Sequence, residues 1–121
     1  MILPLKPFYF IRHGETDWNV QKILMGSKDI PLNENGKAQA TLAQILLNDL
    51  EIGQIFSSPS QRAKQTAAIL NKKQIYPLQH VEQFKERGWG EWEGKQRPET
   101  FKQEDTPIPA GAEPFPLFKL R

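Results

Sequence analysis

Four consecutive apolar residues, Phe8-Tyr9-Phe10-Ile11, run directly into Arg12-His13-Gly14 and then into Glu15-Thr16-Asp17-Trp18-Asn19. An unbroken apolar run of this length is the pattern of a strand covered on both faces, the kind found inside parallel sheets. A cation and an imidazole placed straight after it would stand at the carboxyl end of the strand, where ligands bind in open α/β sheets. An exposed histidine there suits phosphoryl chemistry, as nucleophile or as proton carrier.

The next segments carry the same alternation. Residues 14–35 hold no sustained period and contain Gly26 and Pro31, which reads as an active-site type of loop with at most a short helix. From Lys37 to Leu50 the chain turns helical, with Ala38, Leu42, Ile45, Leu46 and Leu50 on one apolar stripe. Ile52 to Phe56 reads as a second strand. Ser58 as cap and Pro59 as first helical residue predict a second helix, through Ala63, Ala67 and Leu70 to about Lys72. Gln74 to Tyr76 and Val81 to Phe84 are candidates for further extended pieces. After Gly94 the chain is Pro-rich and charged, with Pro98, Pro107, Pro109, Pro114 and Pro116, and no regular element is assigned. Strand and helix in alternation predict an α/β fold with right-handed crossovers onto a mostly parallel sheet.

Composition bounds the function. The 121 residues make one domain, and 38% hydrophobic with 25% charged residues is ordinary for a globular protein. The net charge of +2 comes from interspersed Lys and Arg, which is no nucleic-acid footprint. With no cysteine, disulfides and thiolate metal sites are excluded, and a reducing compartment is the better fit. Met1 to Lys6 is too short an apolar run for a signal peptide and nothing approaches membrane-spanning length, so a cytoplasmic protein without membrane contact is expected. Closely spaced histidine and carboxylate sets are missing, so neither metal nor other cofactor is expected.

Arg62 falls in the opening turn of the second predicted helix, where the macrodipole disfavours a cation by up to about 1 kcal/mol. The plain explanation is a solvated arginine reaching away from the helix. An anion bound at that helix start would instead reward it, because guanidinium and free backbone donors would converge on the same ligand. Arg12 and Arg62 both follow predicted parallel strands and should share one rim of the sheet. Between them His13 would be held neutral, since nearby cations disfavour its protonation. His80 has no such neighbours and reads as an ordinary surface residue. In Lys85-Glu86-Arg87-Gly88-Trp89-Gly90-Glu91-Trp92-Glu93-Gly94, two glycines bracketing two tryptophans predict a tight aromatic loop. Glu86, Glu91 and Glu93 are each candidates for a general acid, and composition does not choose among them.

In order along the chain, RHGETDWN, GSKDIPLNENGKAQA, SSPSQRAKQTA and ERGWGEWEG resemble the histidine phosphatase superfamily, the phosphoglycerate mutase-like group. The resemblance implies a partial three-layer α/β sandwich, with the motifs within residues 8–94 and the Pro-rich tail at 95–121. It further implies that His13 is transiently phosphorylated and that Arg12 and Arg62 hold the phosphoryl oxygens. Asn19 would reach the same site, and Glu86 would protonate the leaving group. The substrate would be a small phosphorylated molecule. The WGEWEG segment, and Pro109 to Glu113, resemble the small phosphatases more than the mutases, so phosphomonoester hydrolysis is the expected reaction, with mutase-type transfer the competing one.

Two departures stand out. Ser60 and Gln61 occupy the place where the family usually has a leucine or similar residue before the helix arginine. Moreover, no histidine follows His80, whereas the family takes a second catalytic histidine from a later strand. The expectation is therefore a domain incomplete at its C-terminal end, with a catalytically impaired phosphoanion-binding relic as the alternative to an active enzyme. Oligomeric state is not legible.

Overall fold

The computed structural model describes residues 7–97 and 111–113. Its elements are α1 (Asp17–Val20), α2 (Glu34–Leu47), β1 (Ile55–Ser57), α3 (Gln61–Leu70) and β2 (Leu78–His80), followed by two 3₁₀ turns at Glu82–Phe84 and Gly90–Trp92. β1 and β2 pair in parallel, with Ile55 opposite Leu78, Phe56 opposite Gln79 and Ser57 opposite His80. Parallel neighbours need a crossover connection, and α3 supplies it. The class is α/β, as the alternation of patterns predicts.

Several boundaries differ from the sequence reading. The run Phe8 to Ile11 joins no ladder and lies exposed, with Phe8 at 85% and Phe10 at 86% exposure. An apolar run becomes a buried strand only when a neighbour takes its backbone hydrogen bonds and a layer covers its faces. Among the described residues β1 pairs with β2 alone. Ile52 to Phe56 likewise shrinks to a strand starting at Ile55. Of the two later extended candidates, Gln74 to Tyr76 lies in the link before β2, and most of Val81 to Phe84 is a 3₁₀ turn. The register instead selects Leu78–His80.

α2 starts three residues early because Asn33 caps it, its side chain accepting from the Gly36 N–H at 2.8 Å. Its buried face is Gly36, Ala40, Gln44 and Leu47, while the expected stripe residues Leu42, Ile45 and Leu46 are exposed. The small side chains win because α2 packs closely on α3, an approach that bulky residues would prevent. Gly14 and Gly36 carry this to its limit: a Cβ on either would collide with the backbone of the other segment.

α3 is capped differently from expectation. Ser60, not Ser58, is the N-cap and makes no side-chain cap bond. The Gln61 N–H donates to the Asp29 carboxylate at 2.6 Å, so the acid that favours a helix start comes from a distant loop. Leu24, Met25, Leu32, Ala40, Leu47, Ala67, Leu70 and Trp89 form the small apolar core. Of the Pro-rich tail, Gly111 to Glu113 dock on the aromatic loop through an antiparallel Trp89–Ala112 bridge. The prolines at 98, 107, 109, 114 and 116 lie outside the described residues. No described helix is long and apolar enough to cross a membrane.

Candidate active site

The pocket begins with the turn at Gly14. Its N–H donates to Thr66 Oγ1 at 3.0 Å, and that hydroxyl donates to the Arg62 carbonyl at 2.7 Å one helical turn back. One threonine therefore ties the Arg12-His13-Gly14 segment to the α3 turn that bears Arg62. On the other side, the Glu15 N–H donates to Gln39 Oε1 of α2 at 2.9 Å.

The His13 ring turns Nδ1 to the Gly14 carbonyl at 2.6 Å. A carbonyl only accepts, so Nδ1 carries the proton and the lone pair resides on Nε2. Burial lowers the imidazole below its ordinary pKa of 6.5, and the charges of Arg62 and Arg12 push the same way, against the opposing Gly14 hydrogen bond. His13 is thus a neutral ring with one basic nitrogen. It shares an open pocket of about 230 Å³ with Arg12, Glu15, Asn19 and Gln39. That space holds several groups of water size, each about 30 Å³ in the liquid.

Arg62 is not the solvated arginine of the plain explanation. Only 2% exposed, it donates through Nη1 to the Lys28 carbonyl at 2.9 Å and through Nη2 to the Gly26 carbonyl at 3.2 Å and Glu86 Oε2 at 3.0 Å. A guanidinium has five N–H donors in a fixed fork. Its Nε–H and the second Nη1–H make no hydrogen bond to any described residue. A buried cation needs such partners, because unpaired burial of charge costs several kcal/mol. Arg12, in contrast, is exposed and makes no hydrogen bond to a described residue.

Asn19 closes a capping box with Thr16: its Oδ1 accepts from the Thr16 N–H at 2.9 Å, and its own N–H donates to Thr16 Oγ1 at 3.1 Å. The cap fixes the side chain at the pocket wall and leaves its amide N–H donors uncommitted among the described residues.

The three acidic candidates of the aromatic loop separate cleanly. Glu86 faces Arg62. Glu93 accepts from the Ser27 and Trp89 N–H groups at 2.9 and 3.0 Å and from the Ser27 hydroxyl. These hydrogen bonds outweigh burial and hold its carboxyl below the ordinary value. Glu91 is exposed on the second 3₁₀ turn. The loop itself rests on Arg87, which lies 4.4 Å from the Trp89 ring centroid and donates to the Glu113 carbonyl at 2.7 Å. His80, read as a plain surface residue, is exposed but its Nδ1 lies 2.6 Å from Ser57 Oγ. No group of His, Cys, Asp or Glu among the described residues is arranged to hold a metal ion.

Sequence reasoning missed Thr66, Gln39 and the carbonyls of Gly26 and Lys28. Thr66 had a usable signal, its i+4 spacing from Arg62 on one helix face. The carbonyls had none, since every residue type carries one.

His13, Arg12 and Asn19 thus share one small open space on an α/β scaffold, with the charge of the buried Arg62 acting on the His13 ring. A family model of the histidine phosphatase superfamily (branch 1) matches residues 8–114, and the chain belongs to that family. It is 44% identical over 84 residues to the uncharacterized phosphatase PhoE of Bacillus subtilis, covering 69% of this chain and 44% of that protein. Among solved structures, YhfR of Bacillus stearothermophilus aligns with a TM-score of 0.68 at 38% identity, over 71% of this chain and 43% of that one. A mycobacterial glucosyl-3-phosphoglycerate phosphatase solved with VO3 aligns with a TM-score of 0.67 at 32% identity, over 70% and 42%. The chain thus spans less than half the length of these relatives.

Proposed function

We propose that the protein hydrolyses small phosphomonoesters through a phosphohistidine at His13. The observation that carries this reading is the tautomer: Nδ1–H committed to the Gly14 carbonyl leaves Nε2 as the nucleophile beside two guanidinium groups. Arg12 and Arg62 bind the phosphoryl oxygens, with the Asn19 amide as a further donor. In the first step Nε2 forms a bond to phosphorus, the ester P–O bond breaks, and the leaving oxygen takes a proton from Glu86. In the second step water attacks phosphorus, the N–P bond breaks, and the water proton returns to Glu86. Inorganic phosphate leaves, whereas a mutase would return the group to a second hydroxyl. The absence of cysteine favours a cytoplasmic setting.

Hydrolysis of p-nitrophenyl phosphate by the full chain and by His13→Ala tests the proposal. Wild type is expected to release phosphate at least about 10³-fold faster, the scale of losing a catalytic nucleophile. Equal rates overturn it. Because the imidazole must be neutral and is held below 6.5, kcat/KM should stay level as pH falls to that value and drop only beneath it.

One observation favours a second reading. Among the described residues the second imidazole, His80, lies 2.6 Å from Ser57 Oγ and does not line the His13 pocket. Phosphate binding without turnover would then be the function, and it would raise Tm with added phosphate while no substrate is consumed.

A further inference from the structure

Glu93 does not line the pocket, yet it closes a circuit around Arg62, whose charge acts on His13. Its carboxylate accepts from the Ser27 N–H at 2.9 Å, the Trp89 N–H at 3.0 Å and the Ser27 hydroxyl at 2.9 Å. Gly26 adopts a positive φ of 52°, and a Cβ there would run into the Glu93 carboxylate and the Trp89 backbone, so the approach is backbone-close. The same short loop turns its Gly26 and Lys28 carbonyls to the Arg62 guanidinium. Glu86, seven positions before Glu93 in the chain, meets Arg62 from the other side. The path therefore returns to its origin: Arg62 to the 26–28 loop, through Ser27 to Glu93, along the aromatic loop to Glu86, and back to Arg62.

We propose that Glu93 is a positioning residue for Arg62, holding the Gly26 and Lys28 carbonyls that fix the orientation of the guanidinium whose charge acts on His13. The idea rests on the hydrolase reading for its consequence in turnover, but not for its geometry. Arg62 presents a rigid fork, so a small rotation of its acceptors redirects the whole guanidinium. Misplacement by about 1 Å at such a site costs up to about 10²-fold in rate. A Glu that merely staples two loops for stability would show no such link.

The test is Glu93→Ala, which removes the oxygen that accepts from both the Ser27 and Trp89 N–H groups. Inorganic phosphate affinity by calorimetry, kcat and KM for p-nitrophenyl phosphate, and Tm are measured for the full chain, alone and with Arg62→Ala. The expected result is a loss of about tenfold to a hundredfold in phosphate affinity and kcat/KM, with no further loss in the Arg62→Ala background. A lowered Tm with unchanged affinity and turnover, or losses that multiply across the two substitutions, overturns the proposal. If Glu93→Ala does not fold, Ser27→Ala removes only the hydroxyl arm and carries the same comparison. Should wild type neither bind phosphate nor turn over substrate, the hydrolase reading fails. The Arg62 Nε–H resonance in ¹⁵N-edited NMR spectra then still decides the geometry: a displaced resonance in Glu93→Ala supports it, and an unmoved one refutes it.

Discussion

The pocket side of the molecule and its apolar flank are built to opposite standards. Around Arg62, Thr66 and Arg87, no deeply buried side-chain nitrogen or oxygen among the described residues lacks a hydrogen-bond partner. Along Phe8 to Ile11 and on α2 at Leu42, Ile45 and Leu46, large apolar side chains stand in solvent. Two neighbours on α2 mark the boundary, Leu46 at 68% exposure and Leu47 at 8%. Polar satisfaction is a local matter, achieved one donor and acceptor at a time by segments that already touch. Apolar burial is collective and needs a whole covering layer.

The sharpest way to break this contrast is Arg62→Ala. It leaves the Gly26 and Lys28 carbonyls and Glu86 without their common donor, at about 1–3 kcal/mol for each group that stays buried. Phosphate affinity should fall by about 10²-fold or more alongside. Urea denaturation and phosphate titration check both; a protein that melts normally and binds phosphate as before would show the circuit to be incidental. Thr66→Val is nearly isosteric and strands the Gly14 N–H, so a loss of about 1–3 kcal/mol is expected by the same denaturation. Little change there would mean that Gly14 finds another acceptor. The smallest effect belongs to the flank. Leu46→Ser should alter stability by no more than about 0.5 kcal/mol, while Leu47→Ala, one position along, should cost about 2–5 kcal/mol. Similar costs for the two leucines would show that the exposed face is covered in solution.

The segments that bear the chemistry were legible because their residue types are rare in combination. Arg12-His13 after an apolar run, an arginine in a helix first turn, and acids in a glycine-bracketed aromatic loop each break a local preference, and such breaks mark function. The failures share one cause. The Phe8–Ile11 strand, the α2 stripe and the Ser58 cap all follow from local pattern, and each is decided beyond it. The first finds no pairing strand among the described residues, the close approach of α3 sets the second, and Asp29 the third.

Which residues carry charge, imidazole and amide, and in what order along an α/β chain, is written in the amino-acid string, since side-chain chemistry and local periodicity are properties of neighbours in sequence. Which nitrogen of His13 holds the proton, what the buried Arg62 guanidinium donates to, and whether Glu86 or Glu93 turns to Arg62 came only with the tertiary structure. Those answers rest on backbone carbonyls and N–H groups that every residue possesses, so only their arrangement in space could distinguish them.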